Sequence, residues 1–252
     1  MVSSAMEDDV YVNFVSGASG EFVIGLLMTI NAPTDETYMT PGNGTRYLNH
    51  LRNFNVTKTG SCHIIRTDKE LEILAEYSDN WTMSKEFQQF IKIKKPYNCI
   101  TKCHIPQTTI HKLWEYFPGI IINILPDKSG KQRFTNWWSK AVLGEWSRYG
   151  YNTLYGSDFE NKHWTDITLN DMNNFIKKSS AKYEALYAYN QAMEEQHPRK
   201  FFSLKLEDIY NDKEKVLTLL ENITQKSRTP LTLELYDMYL QGKKSFEEII
   251  PK

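Results

Sequence analysis

Cysteine is scarce in this chain: Cys62, Cys99 and Cys103 are the three among 252 residues. So small and odd a number excludes a disulfide framework, and we read them as reduced thiols. A dominant charge is lacking too, since 30 basic side chains face 31 acidic ones, for a formal charge of -1. No global field attracts nucleic acid or an anionic membrane, so an anion site has to be local. Long apolar runs are missing: the most apolar stretch, Phe22 to Ile30, falls far short of the ~18 residues of a membrane span. The start, Met-Val-Ser-Ser-Ala-Met-Glu-Asp-Asp, has neither the basic nor the apolar region of a signal peptide, so we expect a soluble, cytoplasmic protein. The N-x-[ST] sequons at Asn43, Asn55, Asn80 and Asn222 then read as chance matches in an Asn- and Thr-rich chain. Internal repeats, low-complexity tracts and Gly/Ser linkers are absent, and the length suits one domain, 1–252.

What is present is concentrated near the start. From Tyr11 an apolar strand runs into a Gly/Ser turn that opens directly into an apolar helix ending near Ile30. The first turn of a helix carries backbone N–H groups without intrahelical partners and the positive end of the dipole, so an anion placed there meets ready donors. Gly17 and Gly20 allow close approach and positive φ, which makes Ser16 to Glu21 a candidate phosphate loop. The Walker pattern G-x-x-x-x-G-K-[ST] is not met, because Glu21 and Phe22 follow Gly20 and the loop holds no lysine. A tight strand-to-helix turn without a ligand is the other reading of the same residues.

Further along, strands are expected at Ser61 to Arg66, Cys99 to Ile105, Ile120 to Leu125 and Phe201 to Leu206. Helices are expected at Lys85 to Lys94, Thr109 to Phe117, Arg133 to Gly144, Asn170 to Gln196, Lys213 to Ile223 and Thr232 to Gly242. Asn31 to Gly44 reads as a turn-rich loop. This alternation predicts βαβ units: a three-layer α/β/α domain with a central, mainly parallel sheet and the phosphate loop after its first strand. Ligands of such sheets bind at the carboxyl ends of the strands.

The third strand ends Lys102-Cys103-His104-Ile105-Pro106. Alternate strand residues share a face, so Lys102 and His104 are expected to point the same way at that edge. Histidine takes a proton near neutral pH, and a lysine beside it steadies negative charge developing on phosphate or sulfate oxygens. A structural histidine with a solvated lysine is the alternative. Cys99, Cys103 and His104 lack a second ligand pair at zinc spacing, and we expect no metal.

Together the loop and the pentapeptide resemble the sulfotransferases that use 3'-phosphoadenosine 5'-phosphosulfate (PAPS) as donor. Members of that family carry a strand, a loop of the type P-K-S-G-T and a helix, and cytosolic members carry K-T-H-L-P. Here Ala18-Ser19-Gly20-Glu21 stands for K-S-G-T, and Lys102-Cys103-His104-Ile105-Pro106 for K-T-H-L-P. The resemblance implies that Ser16, Gly17, Ala18, Ser19, Gly20, Glu21 and Phe22 hold the 5'-phosphosulfate, with His104 as base and Lys102 as electrostatic helper. The family's next landmark is an arginine after a strand and a serine on the following helix, which hold the donor's 3'-phosphate. Arg133 and Ser139 are the matching candidates, although Pro126 stands where the arginine is usual; helix-surface polar residues beside Trp137 and Trp138 are the alternative. Phe201 to Ile209 is similar to the family's late strand with its acidic pair, an architectural feature. The small size and Asn/Lys-rich usage resemble compact sulfotransferase-like proteins of viruses that infect marine cyanobacteria.

One departure matters most. The family's loop lysine bridges leaving phosphate and moving sulfuryl group, and Ala18 occupies its place. By analogy with removing one transition-state donor, its loss implies about 10²-fold or more in rate, unless Lys102 substitutes from the neighbouring strand. The resemblance thus implies a PAPS-dependent transferase acting on a small-molecule or glycan acceptor, with PAPS and its product adenosine 3',5'-bisphosphate as the nucleotides. A non-catalytic nucleotide-binding or interaction protein on the same scaffold and a P-loop kinase or NTPase are the rival expectations. The aromatic stretch with Trp146, Tyr149, Tyr151, Tyr155 and Trp164 reads either as an acceptor pocket or as core cover.

Overall fold

A computed structural model of the chain describes residues 10–15, 17–31, 64–65, 100–103, 107–115, 119–142, 166–242 and 248. Five strands, β1 (Val10–Phe14), β2 (Ile64–Ile65), β3 (Ile100–Cys103), β4 (Ile120–Leu125) and β5 (Phe201–Lys205), form one sheet in the order β2-β3-β1-β4-β5. Every pairing is parallel. All residues of β1 and β4 are buried, as parallel strands covered on both faces require. The expected helix at Lys85 to Lys94, residues 32–44 and the aromatic stretch from Trp146 to Trp164 lie outside the described residues.

Strand alternation divides the core in two. On one face Val10, Val12, Phe14, Ile120, Ile122, Ile124 and Leu204 pack against α1 (Gly20–Asn31) and two C-terminal helices that we number α6 (Lys213–Thr224) and α7 (Pro230–Gln241). On the other, Tyr11, Ile121, Phe201 and Cys103 meet Ile110 and Leu113 of a 3₁₀ helix (Ile110–Glu115) and Met193 of α4 (Tyr183–Gln196). The domain is therefore a three-layer α/β/α sandwich, as the alternation of elements predicts. Burial in the second core pushes the Cys103 thiol well above its ordinary pKa, which makes it a packing group rather than a nucleophile.

The long helix expected at Asn170 to Gln196 is instead two: α3 (Leu169–Ala181) and α4, separated at Lys182. At the break the Lys182 N–H donates to the Ser180 carbonyl in place of a helical partner, and the Ser180 hydroxyl back-bonds to the Lys177 carbonyl, which bends a helix. The reading of the late strand also misses α5 (Leu206–Asn211), which follows β5 at once and buries Leu206 and Ile209. Asp212 ends α5 and caps α6 through the Lys215 N–H, so the two run together without a loop.

A polar row crosses the hydrophobic sheet on the second face. The register aligns Cys103, Asn13, Asn123 and Ser203 on four adjacent strands. Asn13 Nδ2 donates to Asn123 Oδ1 at 3.0 Å, and Asn123 Nδ2 donates to Asn190 Oδ1 of α4 at 2.9 Å and to the Gln107 carbonyl at 3.2 Å. Asn123 is fully buried, so removing its amide strands partners that water cannot reach. We expect Asn123→Leu to destabilise the protein by about 2–4 kcal/mol, read as a lower urea midpoint at unchanged m-value, whereas Ile121→Val, an apolar trim in the neighbouring core, costs about 1 kcal/mol.

Candidate functional site

β1 is central, flanked by β3 and β4. The chain leaves β1 for the β2–β3 side and leaves β4 for β5, so the carboxyl ends of these neighbours diverge at the topological switch point of the sheet. The turn after β1 lies there. Its Ala18 N–H donates to the Val15 carbonyl at 3.0 Å, Gly17 has φ 85° and Ser19 φ 61° before α1 begins at Gly20. Positive φ is ordinary for glycine, whereas the left-handed region costs a serine roughly 1–2 kcal/mol, so Ser19 is held in place by what surrounds it.

Three elements surround it. Asn136 of α2 (Lys131–Val142) donates one amide hydrogen to the Gly17 carbonyl at 2.8 Å and the other to Ser19 Oγ at 3.2 Å. Tyr210 of α5 donates to Asn136 Oδ1 at 2.7 Å and meets the Tyr239 hydroxyl of α7 at 2.7 Å. Tyr239 in turn bonds Ser19 Oγ, and its ring lies flat on Phe22 at 3.7 Å. Burial raises the Tyr210 pKa, so its hydroxyl acts as a neutral donor and acceptor.

The candidate residues fall unequally in this frame. Gly17 and Ala18 are buried in the turn, Ser19 is part-buried in the polar cluster, and Phe22 is core on the first turn of α1. Glu21 lies in α1, and Lys102 lies in β3 in register with Val12 of β1. Ser16 and His104 lie outside the described residues. Arg133 is on α2, where its amide donates to Asp127 Oδ1 at 2.9 Å and its guanidinium sits 4.8 Å from the centre of the Phe175 ring. Ser139 lies on the same helix, two turns from its start. The structure thus brings α2 against the β1–α1 turn through Asn136.

Asp127 was missed by sequence reasoning, although Asp-x-Ser-Gly before a helix is a capping signal. Its carboxylate accepts from Gln132 N–H and Arg133 N–H and from the Ser129 hydroxyl. The first turn of α2 is therefore filled by the protein's own anion. Tyr239 carried no signal at all, since nothing local ties it to a turn 220 residues away. Among the described residues no group of His, Cys, Asp and Glu is gathered to hold a metal, and no helix is long and apolar enough to cross a membrane.

Gly20 is fixed by close approach. A Cβ there would stand 1.9 Å from Cδ1 of Phe14, far inside van der Waals contact. Gly20→Ala is expected to destabilise the fold by about 3 kcal/mol in urea titration, and adding Phe14→Leu should recover part of that loss, a coupling that independent sites would not show.

No family model matches this chain, and no curated protein matches it either.

Proposed function

We propose that the chain transfers a sulfuryl group from PAPS to a hydroxyl or amine acceptor, at the carboxyl edge of β1, β3 and β4. The observation that carries this reading is the strand order: a strand–turn–helix with left-handed residues at 17 and 19 stands at the switch point of an all-parallel sheet. In the sequence His104 follows β3 directly, and Lys102, the last but one residue of β3, is in register with Val12 in the middle of β1.

PAPS, when bound, supplies the activated sulfuryl group. The work left to the protein is positioning and charge neutralisation, as in phosphoryl transfer. In this reading the turn from Ser16 and the first turn of α1 hold the phosphosulfate end, using helix amides and the dipole in place of a lysine. Arg133 and Ser139 on α2 take the 3'-phosphate, His104 takes the acceptor's proton, and Lys102 steadies the oxygens that gain charge.

A second reading has its own support. Ala18 is fully buried where a lysine would have to reach the ligand, and the Ser19 hydroxyl already has partners. Both favour a protein that binds the nucleotide without turning it over.

Calorimetry with adenosine 3',5'-bisphosphate tests the common premise: we expect binding well below millimolar and a clear preference over ATP with magnesium. No heat at millimolar ligand rejects it. Transfer of labelled sulfate from PAPS across an acceptor panel then separates enzyme from binder. In an active protein, His104→Ala should leave bisphosphate affinity and the unfolding midpoint in place while turnover falls by roughly 10²–10⁴.

A further inference from the structure

We infer that the C-terminal helix α7 latches the β1–α1 turn shut through a closed ring of hydrogen bonds, which has to open before Ser19 can serve an anion; the second half of this inference rests on the function proposed above. The ring follows from counting hydrogens. Asn136 uses both amide hydrogens as donors, to the Gly17 carbonyl and to Ser19 Oγ. The hydrogen of Tyr210 goes to Asn136 Oδ1. The bond between the two tyrosines is then donated by Tyr239, and the bond between Ser19 and Tyr239 by Ser19. The circuit runs one way, Ser19 to Tyr239 to Tyr210 to Asn136 and back to Ser19.

Two consequences follow. A one-way circuit polarises each member in the same sense, so it is stronger than its bonds taken singly. It also directs the Ser19 hydrogen at Tyr239, so an anion at the turn competes with α7 for that hydrogen. The ring stack of Tyr239 on Phe22 fastens the same helix to the first turn of α1, the part of the molecule whose amides an anion would use. The left-handed Ser19 is the strained element that the latch holds.

Tyr239→Phe tests this with little disturbance, since it removes one oxygen and keeps the stack on Phe22. Hydrogen exchange of a peptide spanning residues 15–24 should accelerate about three- to tenfold, the range set by one net hydrogen bond, with exchange in β4 and α6 unchanged. Tyr236→Phe is the control, because that hydroxyl donates to the Ile209 carbonyl outside the ring and should not alter the turn. Adenosine 3',5'-bisphosphate should bind the Tyr239→Phe protein at least threefold more tightly. Unchanged exchange at 15–24 overturns the latch. Faster exchange with equal or weaker bisphosphate binding overturns its role as a gate. Faster exchange with no binding to either protein upholds the latch and rejects the bisphosphate reading instead. Should Tyr239→Phe fail to unfold cooperatively, Tyr210→Phe opens the same circuit one bond further on and is judged by the same exchange rates.

Discussion

The side-chain amide of Asn123 is the joint on which the other parts depend. Its oxygen accepts from Asn13 on β1, and its nitrogen donates to α4 and to the segment after β3, so one buried group ties three strands' surroundings to one helix. A parallel sheet that is apolar on both faces has little to stop a strand sliding by two residues, since the same kinds of side chain would still be buried. Buried amides remove that freedom, because a slipped register leaves them unpaired at a cost no apolar contact repays. The relative heights of the β1 and β4 ends are set here.

From that joint outward, the molecule changes character over a few ångströms. Below the row lie Tyr11, Ile121 and Phe201, closely packed with α4 and the 3₁₀ helix. Above it come the strand ends and a turn whose backbone is held by amide and hydroxyl contacts from α2, α5 and α7. Three helices far apart in the chain thus meet on Ser19. The packing is dense enough that the crossing of β1 and α1 tolerates no side chain at Gly20.

The architecture was legible in the sequence because apolar strands such as Ile120 to Leu125 and the punctuation at Gly17, Gly20 and Pro126 are local signals. The break at Lys182 was less so. Helix period continues through Ser179 and Ser180, and the interruption is a change of partner by one backbone N–H, that of Lys182. At the site, the turn was found from glycine spacing and the fold of α1 from its apolar run. Asn136, Tyr210 and Tyr239 were not, since each is an unremarkable helical residue until tertiary packing collects them. Asn123 was passed over for the same reason: a single polar residue in an apolar strand takes its meaning from partners on β1 and α4.

The carboxylate of Asp127 gives the carboxyl edge of the sheet a built-in asymmetry. Two helices approach it, and at one of them the dipole is already answered from within the chain. The amides that open α2 are therefore satisfied from within the chain, and replacing Asp127 would leave them without that partner.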